Sequence, residues 1–150
     1  MTAILLDTHV LLWLVSAPDR IPSSVRETLA DQNNDLFVSA ASAWEIAMKT
    51  RIGRLDGGPL LSTWNETLTS MRAADLAIDS GDGAMAGQLN WDHKDPFDRV
   101  IVTQAARRNL TIATSDNRVI DHALTPVIDT RRAKPKQETT MTPDPDESVP

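Results

Sequence analysis

The sequence predicts an α/β fold built on a parallel sheet, and three observations predict it. Apolar runs of strand length, such as Ala3-Ile4-Leu5-Leu6 and Thr111-Ile112-Ala113-Thr114, alternate with longer segments of helical character. The first run has no polar break, as expected of a parallel strand covered on both faces. Acids stand just beyond both runs, Asp7 after the first and Asp116 after the later one. In open α/β sheets the ligand site lies beyond the carboxyl ends of the strands.

The elements follow in order. Residues 3–6 are a buried strand, and residues 10–15, Val-Leu-Leu-Trp-Leu-Val, begin a buried helix at once. Residues 17–22 are a loop, after which Ser23 or Ser24 caps a second helix to about Asp31. Gln32-Asn33-Asn34-Asp35 is turn chemistry, and Leu36-Phe37-Val38 is the second strand. Residues 39–50 read as helix, with Gly53 as the stop. Pro59 opens a fourth helix through Leu60, Leu61, Trp64 and Leu68. Leu76-Ala77-Ile78 is a weak third strand, residues 83–89 are helical, and residues 90–95 are a polar loop. Pro96 begins a strong helix carrying Phe97, Val100, Ile101 and Ala105. Residues 111–114 are the fourth strand, residues 119–124 a short helix and Val127-Ile128 the fifth strand. Such alternation implies right-handed crossovers.

At 150 residues the chain is expected to form one domain, over residues 1–130. From Arg131 on, Pro, Thr and charged residues dominate, so residues 131–150 are expected to be a disordered polar tail. There is no cysteine, which excludes disulfides and thiolate metal sites. No run of apolar residues is long enough to span a bilayer, and a cytoplasmic protein is expected. The net charge of −6 lies wholly in residues 1–130, because the tail holds four bases and four acids. That balance counts against a purely electrostatic nucleic-acid binder.

Four acids are placed to meet. Asp7 and Asp116 follow strands, Glu45 lies about two turns into the helix after the second strand, and Asp98 lies in the first turn of the helix leading to the fourth. That helix runs back across the sheet, so its N-terminus sits at the strands' carboxyl end. Clustered carboxylates repel one another and stay ionised together only around a cation. With oxygen ligands and no thiolate, the ion expected is hard, Mg2+ or Mn2+. Each acid also has a plain structural reading. Asp95-Pro96-Phe97-Asp98 is a helix start, Ser42-Ala43-Trp44-Glu45 matches a capping box, and Asp7 and Asp116 can cap the helices that follow them.

Four blocks carry a family resemblance: Leu5-Leu6-Asp7-Thr8-His9-Val10-Leu11-Leu12-Trp13, Ser42-Ala43-Trp44-Glu45-Ile46, His93-Lys94-Asp95-Pro96-Phe97-Asp98-Arg99 and Thr114-Ser115-Asp116. In this order they resemble the PIN-domain ribonucleases, and most closely the VapC-type toxins of bacterial toxin–antitoxin pairs. The likeness spans about residues 3–129. It implies a PIN-like, Rossmann-like three-layer fold whose parallel sheet has the order 3-2-1-4-5. It implies Mg2+- or Mn2+-dependent cleavage of RNA, a cognate antitoxin and a homodimer. Carried over by motif, Asp7, Glu45, Asp98 and Asp116 form the acidic site. Asp7 and Asp98 would be direct metal ligands, with Thr8, Thr114 and Ser115 in support.

Lys49, Arg51 and Arg54 follow the Glu45 helix and are candidate RNA contacts or a solvated face, and Lys49 is spaced to pair with Glu45. Arg99 is a candidate phosphate contact, although an ion pair with Asp95 or another acid is the stronger expectation. His9 and His93 invite a general-base reading that metal-dependent hydrolysis does not need. Trp13, Trp44 and Trp64 are expected in core or interface, and Trp91 is the candidate for substrate contact. The Pro59 helix, to about residue 71, is a candidate dimer face. Two other functions compete. One is a non-catalytic RNA- or protein-binding module. The other is an aspartate-nucleophile phosphatase, in which a second acid would stand where His9 is.

Overall fold

The computed structural model describes residues 1–131. The tail expected from residue 131 on lies, Arg131 apart, outside the described residues. Strands β1 Ala3–Leu6, β2 Asp35–Ser39, β3 Ala73–Leu76, β4 Thr111–Thr114 and β5 Val127–Asp129 form a sheet of order β3-β2-β1-β4-β5. Every pairing is parallel, which is the order and sense the resemblance implies.

Alternation along β1 splits the core in two. Ile4 and Leu6 point into one layer with Val10, Leu11, Leu29, Ile46, Leu60 and Leu68, while Leu5 points into the other with Ile101, Val102, Ala105, Ile112 and Val119. The first layer is covered by α1 Thr8–Ser16, α2 Ser23–Ala30, α3 Ala40–Arg51, α4 Gly58–Ser62 and α5 Trp64–Ser70. The second is covered by α7 Pro96–Arg108 and α8 Asn117–His122, with α6 Ser80–Gln88 packed on α7. Ile4, Leu5 and Leu6 are wholly buried, each stabilising the fold by about 2 kcal/mol relative to an exposed side chain.

Several local expectations are corrected. Neither Ser23 nor Ser24 caps α2; Pro22 holds the cap position and no side chain bonds there. A 3₁₀ turn, Pro18–Arg20, occupies the first loop. The Pro59 helix is broken at Thr63, whose β-branched side chain bonds back to the Pro59 carbonyl at 2.9 Å. Leu60 and Leu68 of the two pieces are buried in the core. The third strand begins three residues earlier than expected, at Ala73. Arg72, with φ at 56°, turns the chain from α5 into it. This edge strand is half exposed and Ala-rich, so it pairs through its backbone with little apolar signal. Gly53, at φ 80°, does end the α3 region in the left-handed conformation that favours glycine.

One ion cluster fixes the helix that carries Asp98. Asp79 and Asp82 close a capping box at the start of α6. The buried Asp82 carboxylate also accepts from Arg108 at 2.8 and 2.9 Å, from Arg107 at 2.5 Å and from Gln104 at 3.1 Å. Burial works against its ionisation, but the bonds from Arg108, the Asp79 backbone N–H, Gln104 and Arg107 hold it well below the usual carboxylate range. The cluster ties the C-terminal end of α7 to α6, leaving its N-terminal end at the opposite edge of the sheet.

Candidate active site

Register brings the strand exits level. Leu6 pairs with Val38 on one side and with Ala113 on the other. The next residues, Asp7, Ser39 and Thr114, therefore stand in a row at the carboxyl edge, and the Asp7 N–H donates to the Ala113 carbonyl at 2.9 Å. Asp7 is buried and both its oxygens are held. Oδ1 accepts from the Thr8 N–H at 2.8 Å, capping α1, and Oδ2 accepts from the Thr114 hydroxyl at 2.6 Å. The Thr114 hydroxyl in turn accepts from the Asp116 N–H at 3.1 Å. Thr8 Oγ1 lies 2.9 Å from Ser42 Oγ, joining α1 to α3.

The cap of α3 is Ser39, whose hydroxyl accepts from the Ala41 N–H at 3.0 Å, and not Ser42 as the capping-box spacing suggested. The helix begins where expected, with Ser39 as its cap and Ala40 as its first residue, and Ser42 and Glu45 are both buried. Glu45 pairs with Lys49 on the next turn. Asp95 caps α7 through the N–H groups of Phe97, 2.8 Å, and Asp98, 3.2 Å, and leaves Asp98 on the first turn, buried. Asp98 Oδ2 meets His93 Nε2 at 2.6 Å. Arg118 Nη1 donates to His93 Nδ1 at 3.3 Å, so Nε2 carries the proton that His93 gives to Asp98. Asp116 caps α8 by accepting from the Arg118 N–H at 2.9 Å and keeps a partly exposed carboxylate.

The acids feel one another. Burial raises the pKa of Asp7 above the usual 3.8, and the charge of Glu45 adds to the rise against the bonds from Thr114 and Thr8. Burial, then the charges of Asp7, Asp95 and Asp116, push Asp98 up to about 7, against the bond from His93. Asp7, Glu45, Asp98 and Asp116 thus share one electrostatic neighbourhood at the sheet edge, although Glu45 lies midway along α3 and the others at the starts of α1, α7 and α8. Such carboxyls take up either protons or a cation. All four offer oxygen, which fits Mg2+ or Mn2+. Among the described residues, His93, Asp95 and Asp98 also bring ligand atoms within 4.8 Å of one another. In that trio the Asp95 carboxylate caps α7 and His93 donates a proton toward Asp98.

The supporting residues divide. Thr8 and Thr114 make the bonds described, whereas the Ser115 side chain makes none among the described residues. Arg51 and Arg54 are exposed at the end of α3. Arg99 is a correction on both expectations. Its guanidinium bonds neither an acid nor open solvent but the carbonyls of Ala86, Leu89, Trp91 and His93, at 2.6 to 3.0 Å. Trp44 is 52% exposed and lies edge-on to Phe97, so it is no core residue. Trp13 and Trp64 are half-buried against the first core layer, and His9 is exposed, 6.2 Å from the Trp13 ring. Sequence reasoning undervalued His93 and passed over Ser42 as a buried partner of Thr8. For His93 the signal was its place five residues before Asp98 in one motif block.

Fold and site together define an α/β protein with buried carboxylates gathered at the carboxyl edge of a parallel sheet. The chain belongs to the PIN domain family, whose model matches residues 4–123. It is 27% identical over 123 residues to Ribonuclease VapC22 of Mycobacterium tuberculosis, which covers 81% of this chain and 93% of that protein. Its fold is similar to that of VapBC2 from Rickettsia felis bound to a promoter DNA fragment, with TM-score 0.64 and 15% identity over 85% of this chain and 98% of that one. It is similar also to VapBC-5 from Mycobacterium tuberculosis, a member of the VapBC family of toxin-antitoxin systems, with TM-score 0.54 and 16% identity over 87% of this chain and 99% of that one. Among the described residues no helix is long and apolar enough to cross a membrane.

Proposed function

We propose that this chain is a divalent-metal-dependent endoribonuclease, the toxin of a toxin–antitoxin pair, acting in the cytoplasm. The observation that carries the reading is the pair Asp7 and Asp98, two buried carboxyls raised by burial and by neighbouring charge at one sheet edge. The likeness to a VapC ribonuclease supports the substrate class. Asp7 and Asp98 would hold Mg2+ or Mn2+, with Glu45 and Asp116 completing the set. When bound, such an ion activates water and neutralises charge gathering on phosphoryl oxygens.

The chain's own residues do the rest. Thr114 fixes the aim of Asp7 from the neighbouring strand, and Asp7 cannot rotate without breaking that bond and the α1 cap. His93 holds the Asp98 carboxylate from the loop side. Lys49 balances Glu45. Exposed Arg51 and Arg54 are available to backbone phosphates. A cognate antitoxin and a second copy of the chain are the partners this reading carries, on the likeness to the VapBC pairs.

The test is cleavage of a labelled cellular RNA pool by the purified full chain, with Mg2+ or Mn2+ and with chelator. Metal-dependent products that vanish in Asp7→Asn and Asp98→Asn, with the fold retained by circular dichroism, are the expected result. Full cleavage by folded Asp98→Asn refutes the assignment, and a folded wild type that makes no metal-dependent products refutes the enzyme itself.

A further inference from the structure

A cavity of about 670 Å³ opens beside Asp98, on the loop between α6 and α7 and across to α8. Its walls carry two kinds of chemistry. Trp91 lies 5.5 Å from the His122 ring at 33° and 5.0 Å from the His93 ring at 59°, so three flat rings meet there. Lys94 and Arg118 also line it and are exposed, Arg118 using Nη1 on His93 and leaving Nη2 for a further acceptor. Two acids share the lining, but Asp95 is engaged as the α7 cap, which leaves Asp92 as the acid facing solvent. His93 joins this cavity to the acidic edge, since the ring that packs near Trp91 also bonds Asp98 at 2.6 Å.

We propose that this cavity is a subsite for one unpaired ribonucleotide next to the cleaved bond, its base lying on the Trp91–His122 pair and its phosphate on Lys94 and Arg118. The inference rests on the ribonuclease reading. Aromatic rings flanked by cations are the chemistry that takes a splayed base and its phosphate. A base inside a duplex is stacked on both faces and cannot reach such a wall, so the subsite selects single-stranded RNA. An apolar peptide would find little here, because the exposed lining residues Asp92, Lys94, Arg118 and His122 are polar or charged. His122, Lys94 and Arg118 become substrate-binding residues that the four-acid pattern does not include.

The experiment is an abasic scan. A short single-stranded RNA cut by the wild-type full chain in Mg2+ is remade with one abasic nucleotide at each position in turn, and kcat/KM is measured for wild type, His122→Ala and Lys94→Ala. His122 and Lys94 are exposed, so both variants are expected to fold, and thermal melts verify it. Trp91 is left in place because it also packs against the second core layer. In wild type, one abasic position beside the cleaved bond should lower kcat/KM roughly tenfold. His122→Ala should lose about as much on the intact RNA, and the abasic RNA should then cost it nothing further. Lys94→Ala should raise KM with kcat little changed. A flat scan in a wild type that cuts RNA overturns the subsite and leaves the ribonuclease reading standing, as does a scan that His122→Ala does not alter. Absence of any cleavage by the wild type overturns both.

Discussion

Replacing Asp98 by Asn should make the metal-free protein more stable at high pH while abolishing its activity. The reason is the raised carboxyl: burial and the charges of Asp7, Asp95 and Asp116 lift it from 3.8 to about 7. A group whose pKa is higher in the folded state contributes stability that is complete below its unfolded value. That stability is lost as pH rises through the folded value. At pH 8 the ionised Asp98 therefore costs the fold up to about 4 kcal/mol relative to pH 4, the free energy corresponding to the lift from 3.8 to about 7. Asn carries no charge at either pH, and its amide oxygen can still accept from His93. Urea unfolding in chelator, with stability extrapolated to water, gives the comparison at pH 5 and pH 8. The variant's advantage should be about 2 to 3 kcal/mol larger at pH 8 than at pH 5, because more than a third of the cost is already present at pH 5, and Mg2+ should shrink it by stabilising the ionised wild type. A variant no more stable than wild type at pH 8, or equally shifted at both pH values, would refute the electrostatic account of the site.

Two further outcomes can be checked. A divalent ion at a hundredfold excess over its Kd should stabilise the wild type by about 2.7 kcal/mol in a thermal or urea melt. The effect should be larger at pH 8 than at pH 5, where protons compete for Asp7 and Asp98, and should be much reduced in Asp7→Asn; an equal effect in that variant counts against Asp7 as a ligand. Asp82→Asn should destabilise the fold by about 2 to 3 kcal/mol at pH 7, because Arg107 and Arg108 lose their buried partner. Asp82 is lowered in the folded state, so its contribution is present above pH 4 and is lost as pH falls further; a difference between variant and wild type that does not shrink below pH 4 would sink this reading.

Long-range order was more legible in this sequence than local detail. Unbroken apolar strands and acids beyond them are set by burial and by topology, and these indicated the parallel sheet and the edge where Asp7, Asp98 and Asp116 meet. Helix starts were read from local patterns that several residues can satisfy. Ser42-Ala43-Trp44-Glu45 has the spacing of a capping box, yet Ser39 took the cap because β2 ends there, and Ser42 was carried inward to Thr8. The Thr63 break was invisible because Thr is tolerated in helices, and its local bond back to the Pro59 carbonyl is one that threonines also make inside unbroken helices. Edge strand β3 carries Ala-Ala-Asp-Leu, which has little strand character until β2 offers its free backbone. Arg99 misled most: adjacency to acids suggested an ion pair, whereas the end of α6 and the loop after it presented four carbonyls that no linear pattern displays.

That arginine has a mechanical consequence. Arg99 is covalently next to Asp98, and its planar fork gathers carbonyls from Ala86 through His93. Connector and carboxylate are thereby geared together, so a guest that levers the connector outward drags the start of α7 with it. Lysine, a single point charge without the fork, cannot grip several carbonyls at fixed angles and would let the two slip independently.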